Sequence, residues 1–181
     1  MFRRRRPFRP RALGPDLMAR LAQANQLQAQ GKALEAARLF AQLANGMQAR
    51  QHPRRAANLY ARAAHASADG NDEPSALLYS RQALTLFTQV QMPARASAFY
   101  TNITRKMHNQ GMQAQAETLQ EEFGEKLPAI PAPTPTGSRS TRPLLPTNCP
   151  KCGARVHTED ATWVDDRTVE CEYCGSLIRS E

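Results

Sequence analysis

The chain has 181 residues and a formal net charge of +8; 41% of it is apolar, only 6% is aromatic, and all four cysteines lie beyond residue 148. That length allows one ordinary domain and a small second unit. Few aromatics beside abundant alanine disfavour a β-sandwich core, and no apolar run reaches the roughly 18–20 residues of a membrane span or follows the N-terminal arginines as a signal peptide would. The expectation is a soluble, cytoplasmic, mainly α protein with no transmembrane segment and a small β module at its C-terminal end.

Residues 1–15 read as a disordered arginine-rich arm. Arg3, Arg4, Arg5, Arg6, Arg9 and Arg11 stand there without an acid among them. Such an arm offers contacts for the phosphates of RNA or DNA, with steeply salt-dependent and sequence-poor binding. It equally suits peripheral contact with an anionic membrane surface, or no more than a solvated tail. Pro7 and Pro10 interrupt the amphipathic helix that an organelle transit peptide would form.

Residues 16–126 carry helical periodicity throughout. Asp16 is the expected N-cap of a first helix bearing Leu17, Leu21, Ala24 and Leu27, which Gly31 ends. A second helix places Leu34, Ala36, Ala37, Phe40, Leu43, Ala44 and Met47 on one stripe. Further starts are expected near Pro53, Asp72/Pro74, Pro93 and Met112, proline being tolerated in a first turn whose N–H groups have no helical partner. Six amphipathic helices, hence three antiparallel hairpins, are predicted. Phe40, Tyr60, Tyr79, Phe87, Phe99 and Tyr100 are assigned to the core between them.

Gly31, Gly70 and Gly111 lie 39 and 41 residues apart, ahead of "GKALEAARLF", "GNDEPSALLY" and "GMQAQAETLQ". With Ala36 before Phe40 and Ser75 before Tyr79, this resembles the tetratricopeptide repeat, a small residue followed four positions later by an aromatic. The third copy departs, with Ala116 but Gln120, and the spacing exceeds that family's usual length. The resemblance implies a solenoid whose concave groove holds a peptide or helix of a protein partner; a non-solenoid helical bundle is the alternative. First-helix polar residues, Asn25, Gln28, Asn58, Arg62, Asn102 and Arg105, are the groove candidates.

Residues 127–148 contain Pro128, Pro131, Pro133, Pro135, Pro143 and Pro146 and read as a linker, extended and able to hold the tail at some distance from the body. Beyond it, residues 149–178 present Cys149-Pro-Lys-Cys152-Gly153 and Cys171-Glu-Tyr-Cys174-Gly175. Two intervening residues let both sulfurs of a pair reach one ion, and four thiolates form the closed tetrahedral site of structural zinc. Gly153 and Gly175 suit turns requiring positive φ. "ARVH" and the stretch from "ATWV" to "TVEC" have β-strand composition around a "DDR" turn.

These features resemble a zinc ribbon, implying one structural Zn²⁺ held by Cys149, Cys152, Cys171 and Cys174; iron in a rubredoxin-like site uses the same ligands. His157 is read as a strand residue outside the ligand set and Trp163 as a cover for the small core. Because residues 149–181 hold 4 basic against 7 acidic side chains, the module is expected to meet proteins rather than phosphates.

No nucleophile–base pair, phosphate-cradling loop or carboxylate pair stands at meaningful spacing. Glu121, Glu122 and Glu125 read as the solvated face of the last helix, and His52, His65 and His108 as isolated. The expected function is therefore a non-catalytic adaptor, with nucleic-acid association through the arm as the alternative.

Overall fold

The computed structural model describes residues 14–127, 145–154, 156, 162–165, 167–171, 173 and 176–180. Six helices come first among them: α1 Pro15–Ala29, α2 Ala33–Ala49, α3 Pro53–Asp69, α4 Glu73–Gln89, α5 Pro93–Asn109 and α6 Gln113–Phe123. Three short strands follow, β1 Thr162–Asp165, β2 Thr168–Glu170 and β3 Leu177–Arg179. The six arm arginines, His157, Cys174, Gly175 and residues 128–144 of the proline-rich segment lie outside the described residues.

Each of the first five helices ends in a left-handed residue. Gly31, Gln51, Asn71, Gln91 and Gly111 have φ of 75°, 62°, 54°, 56° and 80°. The residue after each donates its N–H to a carbonyl five positions back: Lys32 to Leu27 at 3.0 Å, and His52 to Met47, Asp72 to Ser67, Met92 to Phe87 and Met112 to Met107 at 2.9 Å. This is the Schellman arrangement, which satisfies carbonyls that the helix end would otherwise leave bare.

The left-handed residues recur every twentieth position, so every helix from α2 to α6 begins in the same phase. Its fourth residue is Ala36, Ala56, Ala76, Ala96 or Ala116, each with at most 1% exposure. Four residues later stand Phe40, Tyr60, Ser80, Tyr100 and Gln120. The sequence unit is therefore one helix of twenty residues, forty to a hairpin, which corrects the expected 39 and 41. Gly70 caps α3 while its neighbour Asn71 takes the left-handed conformation. The small position in α4 is Ala76, one residue beyond the expected Ser75.

Consecutive helices pack together, and in addition α3 meets α5 and α4 meets α6. Three hairpins are thus stacked with odd helices in one layer and even helices in the other, a helical-repeat-like body. Polar bonds tie members of a layer together. Arg95 Nη1 donates to Asn58 Oδ1 at 2.6 Å, Lys106 pairs with Asp69 at 2.6 Å, and Gln115 Nε2 donates to Glu73 Oε2 at 2.7 Å. Glu122 is not merely solvated: Arg81 grips it with two N–H groups, Nε reaching Oε2 at 2.7 Å.

At the N-terminal end, α1 starts at Pro15 behind Gly14, so Asp16 sits in the first turn rather than at the cap. There its carboxylate faces the positive end of the helix dipole. Asp72 is a true N-cap, its Oδ1 accepting the Ser75 N–H at 3.2 Å.

The strands form one antiparallel sheet in the order β1-β2-β3, with Trp163 opposite Val169, Val169 opposite Ile178, and a bulge between Trp163 and Asp165. Strand β3 was not expected. Ala154 and Val156 lie in no strand; the Val156 N–H instead reaches the Thr147 carbonyl at 2.9 Å. That bond ties Thr147 to the segment after the first knuckle.

Glutamine in left-handed conformation carries a Cβ clash that glycine lacks, a cost of roughly 1–2 kcal/mol, partly offset by the greater unfolded-chain entropy of glycine. Gln51→Gly and Gln91→Gly should each raise unfolding free energy by about 0.5–1 kcal/mol in urea titrations, and Gly111→Gln should lower it by a similar amount. A lower urea midpoint for Gln91→Gly would contradict the turn geometry.

Candidate metal centre and its seat on the helices

Two knuckles build the cysteine cluster. In the first, the Cys149 N–H donates to the Ala154 carbonyl at 2.7 Å and the Gly153 N–H returns to the Cys149 carbonyl at 2.8 Å, with Gly153 at φ 69°. In the second, the Cys171 N–H donates to the Ser176 carbonyl at 2.8 Å, the same reach of five residues. Val169 and Ile178 of the sheet are buried in the same apolar cluster as Cys149, Cys152 and Cys171.

The sulfurs of Cys149, Cys152 and Cys171 are buried and lie within 4.8 Å of one another. Cys152 Sγ and Cys171 Sγ are 3.8 Å apart. A disulfide would need about 2.05 Å. A tetrahedron with metal–sulfur bonds of about 2.3 Å has edges of about 3.8 Å. Three thiols at this spacing fit a thiophilic divalent ion, and Cys174, expected as the fourth ligand, lies outside the described residues.

The cluster is seated on the helices. Cys149, Cys152, Ala154, Cys171, Val169 and Ile178 continue the helical core as one apolar cluster. From α1, the Asn25 side-chain amide donates to the Cys152 carbonyl. A Cβ on Gly153 would stand 3.4 Å from Asn25 Nδ2, so both the left-handed turn and this close approach favour glycine there.

From α3, Arg62 enters between the two units. Its guanidinium carbon lies 4.1 Å from the centre of the Phe40 ring of α2 and 5.3 Å from that of Tyr173 in the second knuckle. Nη2 donates to Gln28 Oε1 at 3.0 Å, while Nη1 is buried with no hydrogen-bond partner among the described residues. Burial pushes the Arg62 pKa down; the Tyr173 phenol and the Cys152 and Cys171 thiols oppose that shift.

Of the groove candidates, Asn25, Gln28 and Arg62 are therefore gathered beneath the cysteine module. Asn58 is buried and engaged by Arg95. Asn102 and Arg105 remain exposed on α5, Arg105 Nη2 donating to Asn102 Oδ1 at 2.7 Å. Phe40, Tyr60, Phe87 and Phe99 are buried in the core as expected, whereas Tyr79 and Tyr100 are half-buried.

His65 is not isolated. Its ring meets Phe99 edge-on at 5.4 Å, and its pKa is lowered to about 4 by burial first and by Lys106 second, Asp69 opposing. The unfolded chain takes up a proton near pH 6.5 while the folded chain refuses one until about pH 4, so stability falls as pH drops through that window. Between pH 7 and pH 5 the loss should be about 2 kcal/mol at 1.36 kcal/mol per pKa unit. His65→Leu should remove most of this pH dependence in chemical denaturation.

Comparison with known proteins gives no matching family model, no curated relative and no similar solved structure. Among the described residues no helix is long and apolar enough to cross a membrane. What fold and site define is a class: a mainly α protein of stacked helical hairpins with a buried cysteine cluster able to bind a metal ion.

Proposed function

We propose that this protein is a non-catalytic protein-interaction adaptor: a tetratricopeptide-like body combined with a structural zinc ribbon. The observation that carries the reading is the convergence of three buried cysteine sulfurs within 4.8 Å of one another, one pair at the 3.8 Å of a tetrahedral edge, with Cys174 in the second C-x-x-C pair to complete the set. Four thiolates close the coordination sphere, leaving no position for a substrate or an activated water, so zinc here supplies folding free energy. A module of about 33 residues has too little core to fold without such help. For the body, the support is its stacked hairpins, whose odd-helix layer keeps Asn102 and Arg105 exposed on α5.

Binding of nucleic acid through the arm arginines is the competing reading, and the charge distribution separates the two. The purified, nuclease-treated chain should carry one zinc by elemental analysis, and Cys149→Ser or Cys171→Ser should abolish it and lower the melting temperature. In a salt titration with single-stranded RNA and duplex DNA, the adaptor reading expects no binding at physiological salt. Binding that weakens linearly in log salt and disappears when residues 2–13 are removed would replace it with the nucleic-acid reading.

A further inference from the structure

Arg62 presents a problem that the described residues do not solve. Its guanidinium is half-buried between Phe40 and Tyr173, it forms no ion pair with a carboxylate among those residues, and Nη1, itself buried, has no acceptor among them. Gln28 and the two rings are neutral partners. They soften the loss of hydration but do not balance the charge, and a buried cation without an anion costs several kcal/mol. The cysteine cluster is close to the same guanidinium: Tyr173, whose ring Arg62 meets, stands two residues after Cys171, and Gln28, which Arg62 bonds, lies one turn from Asn25, which bonds the Cys152 carbonyl.

We infer that the cysteine module is the resident occupant of the helical groove, and that a metal ion bound by the cysteines keeps it there through Arg62. The inference rests on the zinc reading above. As protonated thiols the cluster is neutral. Loaded with a divalent ion, four thiolates carry a net double negative charge, and Arg62 becomes its counter-ion. Arg62 is then a positioning residue for the metal centre, supplied by the helical body, and Asn25 is a second. Coupling runs both ways: the helices tighten the metal, and the metal seats the module over Asn25, Gln28 and Arg62. Metal loss would uncover that part of the odd-helix layer, so access of any external partner to it is governed by metal occupancy.

The test uses the full chain. Zinc affinity is measured by competition with a chromophoric chelator, and exposure of Arg62 by phenylglyoxal modification read by mass spectrometry, with exposed Arg105 as internal reference. Arg62→Met, matched in size but uncharged, should weaken zinc about 10–100-fold, the range usual for groups behind the first ligands. Arg62→Lys should recover part of that loss. Asn25→Ala, which leaves the cation in place, should weaken zinc less. Arg62 should be protected in the zinc-loaded chain and modified at least tenfold faster after chelation, with far-ultraviolet helicity retained. Zinc binding within twofold of wild type in Arg62→Met, or equal Arg62 protection with and without zinc, overturns the inference while leaving the zinc site standing. A wild-type chain that takes up no zinc overturns both.

Discussion

A guanidinium leaves water only where something replaces its hydration, and the joining of the two units of this protein turns on how Arg62 meets that demand. Cation–π contact with two rings supplies on the order of 1–4 kcal/mol in all, and one neutral hydrogen bond about 1 kcal/mol. Against these stands a desolvation cost of several kcal/mol. The balance lies near zero without an anion and becomes favourable with one. The module's place on the helices is thus sensitive to the charge of the cysteine cluster rather than guaranteed by area.

The geometry that presents Arg62 descends from the helical repeat. Seventeen helical residues and a three-residue turn return each helix to the same phase, and the alanine at its fourth position keeps neighbouring helices close. Phe40 of α2 then lies directly beneath Arg62 of α3, while Gln28 of α1 reaches its other edge. The side chain thus lies over the buried Phe40 ring with its guanidinium facing Tyr173 of the second knuckle.

Much of this was legible from residue types alone. Proline at the starts of α3 and α5 and a 3.6-residue apolar stripe located the helices, and the paired cysteines located the buried cluster of Cys149, Cys152 and Cys171. The twenty-residue period was hidden because three of its five left-handed positions are filled by Gln51, Asn71 and Gln91 rather than glycine, so Gly70 attracted the register by one residue. Strand β3 was missed because three residues are too short for alternation to register. Asn25, Gln28 and Arg62 were among six polar candidates for a partner-binding surface, but nothing local could reveal that the cysteine module lies over them. The bond from Asn25 to Cys152 joins positions 127 apart in the chain.

That separation also sets the strength the contact needs. Body and module belong to one chain, so their contact is intramolecular, and an effective concentration on the order of 1 mM is usual for units linked in this way. A bimolecular affinity of only about 10 μM would then keep it docked roughly 99% of the time, so no large interface is required. Weakening such a contact by about 2.7 kcal/mol, the equivalent of a hundredfold, brings docked and undocked forms to parity. A single buried charge pair is of that order. A modest seat with one charged contact therefore permits a metal-dependent change that a large apolar interface would suppress.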